Sequence, residues 1–332
     1  MTPAVVRWGV LGTGRITETF IPDIQAAAPG SVTAVWGRRD EAARAVAERH
    51  GIPAWTTDLP ELLARDDVDA VYIATPPATH RDLALAALDA GKHVLVEKPM
   101  AMSAADVELV FARAAAVDRF VMEGMWMKFN PLHRDVMERI GAGLIGEPGY
   151  VRAGFGMSFP AGGSRWDATL GASTVLDQGI YPVTLACWAL GPVAAVSASG
   201  EVREGVDVAA QITLRHDGGG ASQLACSIVS FVDPSASVSG AAGWIEIPAM
   251  FWATDEARLH AGSQRALFHE PDAVSHPREG HGYVPMVRAV NEAIRAGRRQ
   301  HPWHDAEATL AVARVLDDIR AQIFAADATE PA

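Results

Sequence analysis

The chain is poor in cysteine, has no long apolar run, and carries less base than acid. Cys187 and Cys226 are the two cysteines among 332 residues, and both lie in apolar stretches. Two thiols cannot staple a chain this long and their spacing suits no metal site, so buried thiols in a reducing compartment are expected. The most apolar later stretch, Val183 to Ala198, is broken by Gly191-Pro192, whereas a membrane span needs roughly 20 unbroken apolar residues. A strand-like run begins at Val5, with no charged leader, apolar core or cleavage site ahead of it, so a secretion signal is not expected. The expectation is a cytoplasmic protein with no membrane partner. The net charge is −12, from 28 basic and 40 acidic residues. That balance argues against a nucleic-acid surface or a polybasic membrane patch, both of which need clustered base. An anionic cofactor is still compatible, because local amides and a few arginines decide its binding.

What is present has two grammars. A chain of this length exceeds one ordinary core, and two domains are expected, 1–124 and 125–332. In the first, β-branched runs at Val5 to Leu11, Val32 to Gly37, Ala70 to Ala74, His93 to Val96 and Phe120 to Met122 read as buried strands. The segments Ile16 to Ala28, Glu41 to His50, Thr79 to Ala90 and Ala104 to Val117 read as amphipathic helices, with Asp58 and Ser103 as N-caps. Strands alternating with helices imply right-handed crossovers and a doubly wound parallel sheet of the α/β class. Past residue 124 a helix is expected after Asn130-Pro131, a strand over Glu147 to Met157, and a helix from Thr174 to Leu190. Strand-like runs separated by short turns then fill 193–262, and helices over 282–297 and 305–323 close the chain. This second domain reads as α+β with a large, mostly antiparallel sheet.

Gly9-Val10-Leu11-Gly12-Thr13-Gly14-Arg15-Ile16 sits where the first strand turns into the first helix. Glycines there let backbone amides approach a pyrophosphate, which then rests on the positive end of the helix. Thr17 stands where the third glycine of the usual pattern would be. The context, first strand of a parallel fold, makes a Rossmann dinucleotide site the expectation, with Gly9, Gly12, Thr13, Gly14, Arg15 and Ile16 as its residues. The second strand ends Trp36-Gly37-Arg38-Arg39, with no carboxylate before Asp40. A carboxylate at that place suits the free ribose of NAD, whereas guanidinium suits a 2′-phosphate. NADP is therefore expected over NAD, with Arg38 and Arg39 as its phosphate ligands. Their plainer role is to open a solvated helix.

Three further motifs follow: Ala74-Thr75-Pro76-Pro77-Ala78-Thr79-His80, then Glu97-Lys98-Pro99, then Leu176-Asp177-Gln178-Gly179-Ile180-Tyr181. Together and in this order, the chain resembles the glucose–fructose oxidoreductase/inositol dehydrogenase (Gfo/Idh/MocA) family over essentially its whole length. Met122-Glu123-Gly124-Met125-Trp126 and Ala236-Ser237-Val238-Ser239-Gly240 draw the resemblance toward the dihydrodiol dehydrogenase and NADP-dependent D-xylose dehydrogenase branch. The resemblance implies that Lys98 is the catalytic-site lysine and that the Lys98–Pro99 bond is cis. It places Thr75, Pro76, His80, Glu97 and Lys98 about the cofactor, and implies a homodimer or higher oligomer. Tyr181 stands where most of the family has histidine, as in that branch. Gly171-Ala172-Ser173 replaces the run of glycines common ahead of the aspartate.

The chemistry of these residues fits. Oxidation of a carbinol needs a hydride acceptor and a base for the hydroxyl proton. A phenol of pKa about 10 needs roughly three units of help at neutral pH, which a nearby ammonium supplies. Asp177 and Tyr181 are four apart and share a helix face, so Asp177 has Lys98 or a substrate hydroxyl as candidate partners while Tyr181 carries the proton. Such a pair is also a common structural feature. Trp126, Phe155 and Trp166 are candidate substrate walls, with core packing as their plainer role, and His80 lines the nicotinamide or bonds at its helix entry. The function expected is an NADP-dependent sugar or diol oxidoreductase. Two alternatives stand beside it: a non-catalytic dinucleotide or sugar sensor, and a NAD-linked inositol-type dehydrogenase.

Overall fold

The computed structural model of the protein describes residues 5–28 and 31–329. Strand β1 (Trp8–Leu11) is buried along its whole length, as expected where both faces of a parallel sheet are covered. It is followed by α1 (Thr17–Ala27), β2 (Val32–Trp36), α2 (Asp40–His50), β3 (Ala54–Thr56), α3 (Leu59–Ala64), β4 (Ala70–Ile73), α4 (His80–Asp89), β5 (His93–Val96), α5 (Ala104–Ala116) and β6 (Val121–Glu123). The six strands pair in the order β3-β2-β1-β4-β5-β6, all parallel. The order reverses between β1 and β4, and a crevice opens at the carboxyl ends of strands flanking such a point. Both expected caps are in place: the Asp58 side chain accepts from the Glu61 amide and the Ser103 side chain from the Asp106 amide. The short β3 and α3 lie outside the expected elements, because three and six residues are too few to show a period.

The chain continues through α6 (Pro131–Gly141), β7 (Pro148–Gly156), α7 (Ile180–Leu190), β8 (Val193–Arg203), β9 (Val206–His216), β10 (Ala221–Ser227), β11 (Ala236–Gly240), β12 (Gly243–Ile247), β13 (Glu256–Ala261), α8 (Gln264–Phe268), β14 (Asp272–Ser275), α9 (Val284–Arg295) and α10 (Ala306–Asp327). A second sheet has the order β14-β13-β12-β11-β7-β10-β9-β8. Its neighbours are antiparallel except for β7 and β10. Along β9, Ala210, Ile212 and Leu214 are buried while Gln211, Thr213 and Arg215 are exposed. The period of two shows a sheet with one covered and one open face.

Two compact units emerge: residues up to Asn130 together with Arg278–Leu310, and Pro131–Pro277 together with the residues from Ala311. The return of 278–310 to the first unit is fixed by buried polar groups. The Trp8 indole donates to Asn291 Oδ1 at 3.0 Å. The Asp23 carboxylate, 1% exposed, accepts from the His281 amide at 2.9 Å and the Tyr283 amide at 2.8 Å. Phe20 on α1 stacks on Tyr72 of β4 with ring centroids 3.7 Å apart, continuing this core. No helix among the described residues is long and apolar enough to cross a membrane.

Candidate functional site

On the first unit, the loop from β1 to α1 is drawn tightly against β4. Gly12 has φ +124, and a Cβ there would lie 2.6 Å from the Ala74 carbonyl oxygen. Glycine is thus required by backbone strain and by close approach alike. Gly14 is different: its Cβ position meets only the Ala74 oxygen at 3.9 Å, and the residue is exposed. The amides of Thr13, Gly14, Arg15 and Ile16 make no hydrogen bond to a backbone carbonyl among the described residues. Four such amides stand at the start of an 11-residue helix, a cradle whose positive helix end suits an anion. Thr17 is buried, and its hydroxyl donates to the Gly14 carbonyl at 2.5 Å. It closes the first turn where the third glycine would give bare packing. Gly9 lies within β1, and its missing side chain makes room for Leu62 and Val68, a packing reason.

Arg38 and Arg39 are both exposed and follow Gly37, whose Cβ position would be 2.7 Å from Thr13 Cγ2. The end of β2 therefore adjoins the cradle. Asp40, the first nearby carboxylate, is taken by the Trp55 indole at 3.2 Å. The loop fits a dinucleotide, and the paired guanidinium groups fit an extra phosphate on its ribose.

The segment 96–100 follows β5 and carries Lys98, which is half-buried. The Lys98–Pro99 bond is cis. Every residue around Lys98 is tied down. Glu97, 8% exposed, donates its amide to the Ile73 carbonyl at 2.9 Å and accepts from the Tyr72 hydroxyl at 2.6 Å. The Pro99 carbonyl lies 2.8 Å from His80 Nδ1, and the Thr75 carbonyl 2.8 Å from His80 Nε2. The Met100 amide donates to Glu123 Oε1 at 2.8 Å. His80 is thus a buried brace between two loops, with its ring nitrogens held by carbonyls. Burial pulls its pKa down, and the two carbonyls act against that pull. Thr75 and Pro76 are half-buried at the end of β4, and the Thr75 hydroxyl accepts from Thr79 at 2.7 Å. Trp126 is buried, its ring packed on Tyr283 at 4.8 Å with Gly282 against its edge. That is core packing within the unit.

On the second unit, a π-helical turn, Val175–Gly179, runs directly into α7. π-turns of this kind recur at functional sites. Three side chains fix its start: Asp207 accepts the Val175 amide at 2.8 Å, Ser173 the Leu176 amide at 3.0 Å, and Thr174 donates to Gln178 at 2.6 Å. Asp207 is fully buried, and burial raises its pKa above the usual carboxylate range. The turn presents Asp177, paired with Arg165 at 3.2 Å, and Tyr181, 4% exposed. Phe155 and Trp252 stack with centroids 3.5 Å apart, and each centroid is 5.9 Å from that of Tyr181. Trp252 was not among the residues expected, since it lies in a loop with no pattern around it. Trp166 packs with Phe159 on Val206, Val208 and Ile228, and its buried indole nitrogen has no partner among the described residues.

A six-stranded parallel sheet with strand order 3-2-1-4-5-6, a glycine loop at its switch point and a following sheet domain define a dinucleotide-dependent oxidoreductase. Residues 6–125 match the oxidoreductase family with an NAD-binding Rossmann fold, and residues 133–246 match the GFO/IDH/MocA C-terminal domain. The chain belongs to the GFO/IDH/MocA family. It is 31% identical over 328 residues to trans-1,2-dihydrobenzene-1,2-diol dehydrogenase of Mus musculus, covering 96% of this chain and 97% of that one. The Xenopus tropicalis enzyme of the same name is 26% identical over 322 residues, covering 96% and 98%. Among solved structures, the 3-ketoreductase KijD10 from Actinomadura kijaniata, in complex with NADP and TDP-benzene, is 29% identical with a TM-score of 0.84. The match covers 96% of this chain and 98% of that one. KijD10 has also been solved with one tyrosine replaced by phenylalanine and with one lysine replaced by alanine. The aldose-aldose oxidoreductase of Caulobacter crescentus, 23% identical with a TM-score of 0.86 and coverage of 97% and 98%, shares the fold.

Proposed function

We propose that the protein is an NADP-dependent oxidoreductase that moves a hydride between the nicotinamide and a carbinol carbon of a sugar or related diol. The observation that carries this reading is the pair of exposed arginines, Arg38 and Arg39, set beside a glycine cradle whose amides are open to an anion. The names of the relatives, diol dehydrogenases and an NADP-bound ketoreductase, point the same way. Thr13, Gly14, Arg15 and Ile16 would hold the pyrophosphate, Arg38 and Arg39 the 2′-phosphate, with Thr75, Pro76 and Glu97 shaping the loops beside it. The nicotinamide, when bound, supplies the hydride acceptor or donor.

Tyr181 is assigned the hydroxyl proton, and Lys98 a positive charge at the cofactor. Asp177, paired with Arg165, positions a substrate hydroxyl. The stacked Phe155 and Trp252 suit the apolar face of a sugar or an aromatic diol. Retained Lys98, Asp177 and Tyr181 favour an enzyme over a sensor, which has no need of a proton path. Cys187 and Cys226, neither of which is in a disulfide, support a cytoplasmic setting, which cell fractionation tests. The open face of the large sheet, with Gln211, Thr213, Arg215 and Gln223 exposed, supports a homodimer. A panel of aldoses, inositols and trans-diols with NADP or NAD, read at the absorbance of the reduced cofactor, tests the function. Turnover with NAD alone, or with no member of the panel, would count against it.

A further inference from the structure

Glu123 ends β6 and is 3% exposed, yet it is a carboxylate with two specific partners. Its Oε1 accepts the Met100 amide at 2.8 Å, and its Oε2 faces His304 Nε2 at 2.9 Å. His304 is 1% exposed, and its other ring nitrogen, Nδ1, is buried with no hydrogen-bond partner among the described residues. An orphaned lone pair costs less than an orphaned N–H, so the ring is the neutral Nε2–H tautomer and donates to Glu123. Burial lowers the His304 pKa, with Glu123 opposing it, in keeping with that tautomer. A buried carboxylate that only filled space would be replaced at a gain by an apolar side chain. This one instead grips a backbone amide two residues from Lys98.

The grip completes a frame. Val96 accepts the Gly124 amide at 2.6 Å, Glu97 is held by Tyr72, and Pro99 by His80. Glu123 adds the last fixed point, at Met100, so the Cα positions on either side of Lys98 are set from β4, α4 and β6.

We propose that Glu123, oriented by His304, is a positioning residue that fixes the backbone of the Lys98 segment and so the place of the Lys98 ammonium. The proposal rests on the reading of Lys98 as a group at the cofactor. Placing a reacting group about 1 Å off can cost on the order of 100-fold in rate, so the device is worth a buried charge.

The chain has three lysines, Lys92, Lys98 and Lys128, which makes Lys98 easy to follow by acetylation and peptide mass spectrometry. NADP at ten times its dissociation constant should slow wild-type acetylation of Lys98 about tenfold. In Glu123→Ala this protection should largely vanish at saturating NADP, while NADP affinity by tryptophan fluorescence stays near wild type. Glu123→Gln keeps an oxygen for the Met100 amide and, once the His304 ring shifts its proton to Nδ1 so that Nε2 accepts from the new side-chain NH2, should restore protection in part, which a merely space-filling role has no reason to do. If Glu123→Ala does not fold, His304→Ala takes its place, with the same loss expected. A folded Glu123→Ala or His304→Ala with wild-type protection at Lys98 overturns the proposal alone. Absence of protection in the wild type overturns the assignment of Lys98 first, and the proposal with it.

Discussion

The carboxylate of Asp207, on β9, accepts the Val175 amide at 2.8 Å and so sets the first turn of the helix that carries Asp177 and Tyr181. Its second oxygen lies 3.5 Å from Arg320 Nε. Asp207→Ala should cost roughly 1–3 kcal/mol by leaving the Val175 amide buried and unmatched. Asp207→Asn, which keeps an acceptor, should cost less. The sign of the pH effect follows from the raised carboxyl pKa in the folded state, caused by burial. Holding the charge lowers wild-type stability above the folded pKa, and that cost fades as pH falls toward the ordinary aspartate value of about 3.9. Asp207→Asn should therefore look better relative to wild type at pH 7 than at pH 4, as read by urea unfolding. A gap that is constant over this range would remove the burial argument.

Arg38→Ala should weaken NADP binding about 10- to 150-fold, the equivalent of roughly 1.5–3 kcal/mol for a charge-assisted phosphate contact. NAD binding should change little. Equal losses for both cofactors, measured by fluorescence titration, would show that Arg38 does not read the 2′-phosphate and would turn attention to Arg39.

Tyr181→Phe should lower turnover about 100- to 10,000-fold, the usual size of lost general acid–base catalysis. NADPH affinity should be unchanged because the ring is kept. Lys98→Met should do similar damage, and the double variant should be little worse than either single if the two serve one proton transfer. Near-normal turnover in Tyr181→Phe on the best substrate would end its assignment as the base and move the search to Asp177.

Sedimentation at micromolar protein should report about twice the 35.2 kDa chain mass if the open sheet face pairs two subunits. Gln223→Glu with Thr213→Glu, which put charge on that face, should shift the balance toward monomer. A wild-type monomer at every accessible concentration would contradict the pairing.

The parallel sheet was legible in the sequence because strands buried on both faces read as unbroken β-branched runs. His93–Val96 ends where its pattern ends, whereas the expected Val5 start yields to Trp8 and the last strand slides to Val121–Glu123. The expected helix over 174–190 proved to be a π-turn joined to an α-helix, a change of winding that residue spacing does not announce. At the candidate site, Lys98, Asp177 and Tyr181 stood out through local motifs. The groups that hold those motifs did not, because their partners are remote: Glu123 and His304 are 181 residues apart, and Asp207 and Val175 are 32 apart. Trp126 shows the converse, an aromatic that reads as a pocket wall and packs on Tyr283.

The return of 278–310 to the first unit has a bearing on how the protein is made. A ribosome releases the amino-terminal part of a chain first, and domains commonly fold as they emerge. Here Trp8 waits for Asn291 and Asp23 waits for the amides of His281 and Tyr283, while Glu123 waits for His304. The nucleotide-binding half cannot finish until nearly all of the polypeptide has been synthesised. A truncation before residue 281 would strand all of those polar groups, and one before residue 304 would still strand Glu123, so the smallest piece able to bind the dinucleotide is close to the whole chain.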